Sequence, residues 1–196
     1  MQKDQREALL EAGLRVVHAR GLAATGVRDI AVAAGAPQGS FTNHFRSKEE
    51  FAREVLDRYF ADLQRLVTDT LTDGSRSPRQ RLARYLDIIT DRLAKAEFAR
   101  GCLIGDFSLE AAPQSELLRM RLAEIFAEWR TPFATCIGEA QAAGEIERTF
   151  APEELAEFLL SSWEGAILRM KVARNADPLE RFKRIAFGTV FQEPQP

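Results

Sequence analysis

The chain has 196 residues, 45% of them hydrophobic and 29% charged, with a net charge of −2. That is globular usage for one or two domains, and it excludes a uniformly basic nucleic-acid binder, a disordered chain and a membrane-spanning one. Two cysteines and two histidines make neither a disulfide framework nor a zinc cluster, and the polar N-terminus is no secretory signal. The expectation is therefore a soluble cytoplasmic protein with reduced thiols, no metal and no cofactor.

Apolar residues recur at helical spacing almost throughout and alternating β-branched runs are absent, so the expected fold is all-α with about nine helices. A first helix from about Lys3 to Arg20 turns Leu10, Leu14 and Val17 inward and stops at Gly21. Thr25 is a suitable N-cap for the second helix, whose inward face is Val27, Ile30 and Ala34. Small Ala31 permits a close helix crossing, and Gly35 tolerates the positive φ of a tight turn. Pro37 suits the first turn of a third helix, which Phe41 anchors in the core.

Ser47-Lys48-Glu49-Glu50 reads as a capping box for a fourth helix reaching about Leu71. Residues 73–78 are a loop by composition. A fifth helix spans about Pro78 to Ala99, and Arg100-Gly101 breaks it. The sixth runs from about Cys102 to Ala112, and Pro113 ends it. The seventh covers about Ser115 to Ala143, with Pro132 as a kink. The eighth runs from Pro152 to about Arg174. Asp177-Pro178 starts the ninth, with Asp177 as an acidic cap.

Two short helices around a tight turn, at residues 25–45, are the layout of a helix-turn-helix DNA reader. Residues 1–48 carry seven Lys or Arg against four Asp or Glu, whereas the remainder carries 20 against 25. A mildly basic head on an acidic body fits DNA contact at one end. The ordered pattern favours this reading over a plain helical hairpin.

The segments Thr25-Gly-Val-Arg-Asp-Ile-Ala, Ala34-Gly-Ala-Pro-Gln-Gly-Ser-Phe and Asn43-His-Phe-Arg-Ser-Lys-Glu-Glu-Phe resemble the TetR family of bacterial transcriptional regulators. The resemblance implies an all-helical homodimer that binds a palindromic DNA operator and releases it when a small-molecule inducer enters the body. It also implies a DNA-binding domain at 1–47 and a ligand-binding and dimerisation domain at 48–196, with the fourth helix (about 48–71) as connector.

Within the head, Gln38, Thr42 and Asn43 are of a size to meet base edges or backbone oxygens. Gly39 and Ser40 keep the helix end slim, Thr25 and Arg28 open the helix that crosses the backbone, and His44 and Lys48 are placed for phosphate. Phe41 and Phe45 belong to the core. Many family members have Tyr where this chain has Thr42, so one phosphate contact is in question here.

In the body, Leu155, Phe158, Leu159, Ser162, Ala166 and Arg169 with Phe182 and Ile185 are expected to form a four-helix dimer surface, as the resemblance implies. Trp129, Phe133 and Trp163 are the expected lining of a ligand cavity, with Phe107 on the neighbouring helix. The stretch Gly101-Cys-Leu-Ile-Gly-Asp-Phe-Ser-Leu-Glu, with the later Leu168-Arg-Met-Lys171, resembles a branch of the family that includes electrophile-responsive repressors, the N-ethylmaleimide-responsive one among them. Cys102 is thus a candidate sensor thiol, tuned by Lys171. Its more ordinary reading is a small buried hydrophobe at a tight helix crossing. Two other readings stand beside the regulator: a helical adaptor for another protein, and a thiol enzyme using Cys102. No catalytic set supports the second, because His18 and His44 both lie in the head.

Overall fold

A computed structural model describes residues 2–193, with side chains from Gln5 onward. Among the described residues there are nine helices and no strand: α1 (Gln2–Arg20), α2 (Val27–Ala33), α3 (Ser40–His44), α4 (Lys48–Leu71), α5 (Pro78–Lys95), α6 (Leu103–Glu110), α7 (Glu116–Ala142), α8 (Pro152–Ala173) and α9 (Asp177–Gly188). None is long and apolar enough to cross a membrane. The helices form two compact units. The first holds residues up to Asp62 together with Leu103–Ile125; the second holds Leu63–Cys102 together with the residues from Phe126 onward. By compactness, then, the unit of the head extends past residue 47 and takes in α6 and the start of α7.

Several helix ends differ from the sequence expectation. α2 is capped by Gly26, not Thr25. α3 starts at Ser40, because residues 37–39 form a turn in which the Ser40 amide donates to the Pro37 carbonyl at 3.0 Å. α5 stops at Lys95 rather than Ala99, since Glu97 and Phe98 adopt φ of 52° and 53°, which no right-handed helix accommodates. At α9 the cap is Ala176 and Asp177 is already helical. The turn at Gly35 is as expected, with φ of 63°.

The first unit is built on aromatic packing beneath α2 and α3. Phe41, Phe45 and Phe51 form a triangle with ring centroids 4.8 to 5.2 Å apart. α1 approaches this cluster at Gly13, where a Cβ would lie 2.1 Å from the Phe51 ring, so only glycine fits. Ile30 and Ala31 close the cluster from α2, and Leu9, Leu10 and Val17 from α1. Leu14 is only half-buried. Arg6 pairs with Glu54, Arg58 with Glu7, and Arg121 with Asp57 at 2.5 Å, so charged pairs edge the apolar core.

The second unit packs α5, α8, α9 and the C-terminal part of α7 around Tyr85, Phe133, Trp163, Leu82 and Leu86, all fully buried. α5 begins with a complete capping box between Ser77 and Gln80, reinforced by Pro78. Arg79 then staples α5 to the C-terminal segment, donating to the carbonyls of Phe191 at 2.7 Å and Phe187 at 3.1 Å. Arg81 donates to the Leu71 carbonyl at 3.1 Å and pairs with Glu139 at 2.7 Å, which fixes the end of α4 against α5. Pro132 lies inside α7, where it removes one backbone donor from the helix ladder.

Candidate nucleic-acid interface and effector core

The outer face of α2, the turn and α3 presents Arg28, Gln38, Gly39, Thr42 and Asn43 to solvent, while Phe41 and Phe45 face inward. That division follows from helical spacing: in a helix of five residues one side can be core and the other free. His44 and Lys48 are half-buried at the margin of this face. Lys48 and Glu49 share a shallow cleft of about 200 Å³ with Leu22, Ala23 and Glu110.

Two of the expected contact residues are placed differently. Thr25 is fully buried, and its hydroxyl donates to the Gly21 carbonyl at 2.6 Å. Ser40 is also buried, and its hydroxyl donates to the Pro37 carbonyl at 2.5 Å. Both hydroxyls fasten the backbone of the head from inside, so neither side chain is offered to DNA. Thr42 keeps its exposed position, with its hydroxyl donating to the Gly39 carbonyl at 3.0 Å.

Sequence reasoning missed three members of this region. Val32 is 72% exposed on α2, an apolar side chain facing water where a thymine methyl would match it. Its signal was available, since it falls off the inward face formed by Val27 and Ile30. Arg46 is exposed beside Asn43 and His44. Glu110, at the end of α6, accepts the amide of Leu22 at 2.9 Å and that of Ala23. It clamps the turn that leads into α2. Gly21 permits this approach, with φ of 85° and space for a Cβ only 3.0 Å from the Glu110 carboxylate. No pattern in the sequence joins positions 88 residues apart.

In the second unit, Trp129, Phe133 and Trp163 are buried as expected. The Tyr85 ring packs edge-on against Phe133 at 4.9 Å and 83°. Burial pushes the Tyr85 phenol well above its ordinary pKa. Cys102 itself is buried and is the last residue before α6, not the first of it. Lys171 is half-buried in the last turn of α8. Phe107 is buried in the first unit, so by compactness it does not group with the other expected lining residues. Cys136 donates its thiol to the Pro78 carbonyl at 3.3 Å, and burial pushes its pKa up to about 12. Such a thiol is inert at neutral pH. Among the described residues no group of side chains could hold a metal ion.

The expected dimer stripe resolves into two faces of α8. Leu155, Leu159, Trp163 and Met170 point into the chain's own core. Phe158 and Arg169 are exposed, and Ser162 is half-buried. Leu155 and Leu159 are therefore corrected from dimer surface to core: each is one residue, or about 100° around the helix, away from the outward row. Phe158 is 46% and Ile185 53% exposed on either side of an apolar groove of about 410 Å³ between α8 and α9. Ser162, Ala166, Arg169 and Phe182 line it, and Phe182 leans on Trp163 at 5.4 Å.

Comparison with known proteins closes the identification. Residues 9–55 match the family described as bacterial regulatory proteins, tetR family, and residues 78–186 match the tetracyclin repressor-like C-terminal domain. The HTH-type transcriptional repressor DhaR of Mycobacterium sp. strain GP1 is 47% identical over 182 residues, covering 93% of this chain and 90% of that protein. The HTH-type transcriptional repressor NemR of Escherichia coli K12 is 30% identical over 183 residues, covering 91% and 90%. Among solved structures, the regulatory protein TetR from Rhodobacter sphaeroides superposes with a TM-score of 0.89 at 35% identity, covering 94% and 97% of the two chains. The reduced form of E. coli NemR gives 0.87 at 26%, covering 98% and 100%. The chain belongs to the TetR family of bacterial regulatory proteins.

Proposed function

We propose that this protein is a homodimeric, sequence-specific repressor whose two heads read a palindromic operator and whose body lowers operator affinity when it takes up a small molecule. The observation that carries the reading is the exposed row Arg28, Gln38, Thr42 and Asn43 above a rigid aromatic core. Exposed amides and hydroxyls on a fixed support suit base edges, and the backbone of the turn suits phosphate. Functional labour divides near residue 47, with DNA contact before it and effector response and dimerisation after it. The repressor names of DhaR and NemR favour this reading over a protein adaptor or a thiol enzyme.

The dimer would close over the outward row of α8 and α9, burying Phe158 and Ile185 in an isologous four-helix contact. Inducer binding then acts as a coupling free energy of ~1–3 kcal/mol between body and head. Cys102 is the residue proposed to report electrophiles. The likeness to NemR supports that role.

Selection from random duplex DNA tests the central part. The expected product is a palindrome with half-sites about one or more helical turns apart. A strictly monomeric protein that enriches no sequence would contradict it. For the sensor, operator complexes are exposed to a maleimide: the wild type should release DNA, and Cys102→Ser should hold it.

A further inference from the structure

The turn that delivers α2 to the reading face is held by a distant residue. α1 ends at Arg20 and α2 begins at Val27, so the amides of Leu22 and Ala23 fall between two helices. Among the described residues neither amide has a main-chain acceptor. Both donate to Glu110, one to each carboxylate oxygen, with the Leu22 bond at 2.9 Å. Gly21 leaves room for this approach, since a Cβ there would lie 3.0 Å from the same carboxylate.

From that turn the chain is tied stepwise to Arg28. The Thr25 amide donates to the Leu22 carbonyl at 3.2 Å, and the Thr25 hydroxyl to that of Gly21 at 2.6 Å. Gly26 then caps α2, with its amide donating to Asp29 at 2.8 Å. Fixing residues 22 and 23 therefore fixes the direction in which α2 sets out and the place where Arg28 stands.

The position of Glu110 in its own helix runs against local preference. It is the last residue of α6, where the negative end of the helix dipole disfavours a carboxylate, and the last turn holds no basic residue. The head's turn, by contrast, gains two charge-assisted hydrogen bonds from it. Leu103, Ile104 and Phe107 are buried and seat α6 in the same compact unit as that turn. By sequence, however, α6 lies within residues 78–186, the match to the C-terminal domain.

We propose that Glu110 is a positioning residue for DNA reading: by holding the amides of Leu22 and Ala23, α6 sets how α2 and Arg28 meet the operator, and release of this clamp lowers operator affinity. The link is separate from the one that α4 makes along the chain. This rests on the reading of α2, the turn and α3 as the DNA face, and names a contact through which the C-terminal sequence controls that face.

The full-length protein is measured on the duplex that the wild type selects from a random pool and on an unrelated duplex of equal length. Glu110→Ala removes the carboxylate, and Glu110→Asp keeps the charge but shortens its reach by one methylene. Affinity for the selected duplex should fall roughly tenfold in both, within the range typical of coupled sites. Affinity for the unrelated duplex rests on phosphate charge and should not fall. The sign is diagnostic, because losing a negative charge would by itself tighten binding to DNA. Amide exchange at residues 22 and 23 should quicken in both free variants, and Glu110→Asp serves if Glu110→Ala fails to fold.

A carboxylate that only stabilises the fold would lower the thermal midpoint and leave the affinity of the folded protein unchanged, which would overturn the proposal. Equal losses on both duplexes, or tighter binding by the variants, would overturn it too. A wild type that selects no duplex would bring down the proposed function as well, an outcome distinct from variants that bind like a working wild type.

Discussion

The two compact units spend their polar groups in opposite ways. In the first, buried hydroxyls are used locally: Thr25 closes onto Gly21, Ser40 onto Pro37, and Asp29 caps α2 through the amide of Gly26 at 2.8 Å. Nothing in those bonds depends on a visitor. In the second, polar atoms of Tyr85, Trp129 and Glu164 lie buried without a well-formed hydrogen bond, and burial pushes the pKa of the Cys136 thiol up to about 12. The proposed reading of DNA by Gln38, Thr42 and Asn43 needs a self-satisfied frame. The proposed response of the body needs groups whose bonding can change, because only differential binding shifts an equilibrium.

The sharpest way to break this contrast is to remove the support of the reading face. Phe51→Ala deletes one corner of the aromatic triangle and should cost ~3–5 kcal/mol, measured by urea unfolding. A loss below ~1 kcal/mol would show that the triangle does not carry the head.

An alkaline challenge sharpens the other side. Cys136 holds its proton up to about pH 12 when folded, against an ordinary value of 9.0 when unfolded. Its folded pKa is raised, so its contribution is complete below pH 9 and is lost as pH climbs from 9 toward 12. Stability should fall by up to ~1.4 kcal/mol per pH unit in that window. The Tyr85 phenol, also raised by burial, adds a loss in the same direction. Cys136→Ala should flatten the pH dependence between pH 9 and 10.5, and an unchanged slope would contradict the burial argument.

Smaller effects separate reading from fastening. Gln38→Ala should weaken binding to a selected duplex by ~1–3 kcal/mol and relax preference at one base position, with unfolding unchanged. Glu110→Gln loosens the charge-assisted clamp on Leu22 and Ala23. Partial exposure of that carboxylate limits the cost to about 1 kcal/mol, seen as faster amide exchange at residues 22 and 23. Thr25→Val should cost ~1 kcal/mol of stability and leave the salt dependence of DNA binding untouched. A change in salt slope would restore Thr25 as a phosphate contact.

Much of this was legible from spacing. The nine helices follow from apolar periodicity, and Gly21, Gly35 and Gly144 take the positive φ that ends or turns a segment. What failed has a physical cause in each case. A threonine before a helix can cap it or bond backward, and only the packed turn decides, as at Thr25. Neighbouring apolar positions on a helix can face opposite sides, as Leu159 faces the core while Phe158 faces out. The fifth helix stopped early because residues 97 and 98 turn left-handed, and neither is a glycine. Long-range pieces such as the Glu110 clamp and the Gly13–Phe51 contact arise from tertiary approach and leave no local signature.

The most direct test of the account is the salt dependence of operator binding by the full-length protein. In the proposed dimer, two heads each offering Arg28, Arg46 and Lys48 imply about six phosphate contacts, and affinity should fall roughly 10³-fold between 50 and 200 mM salt. The triple replacement Arg28→Ala, Arg46→Ala and Lys48→Ala should nearly abolish that slope. Binding that ignores salt, or a slope that survives the triple replacement, would mean that DNA does not meet the protein through this face.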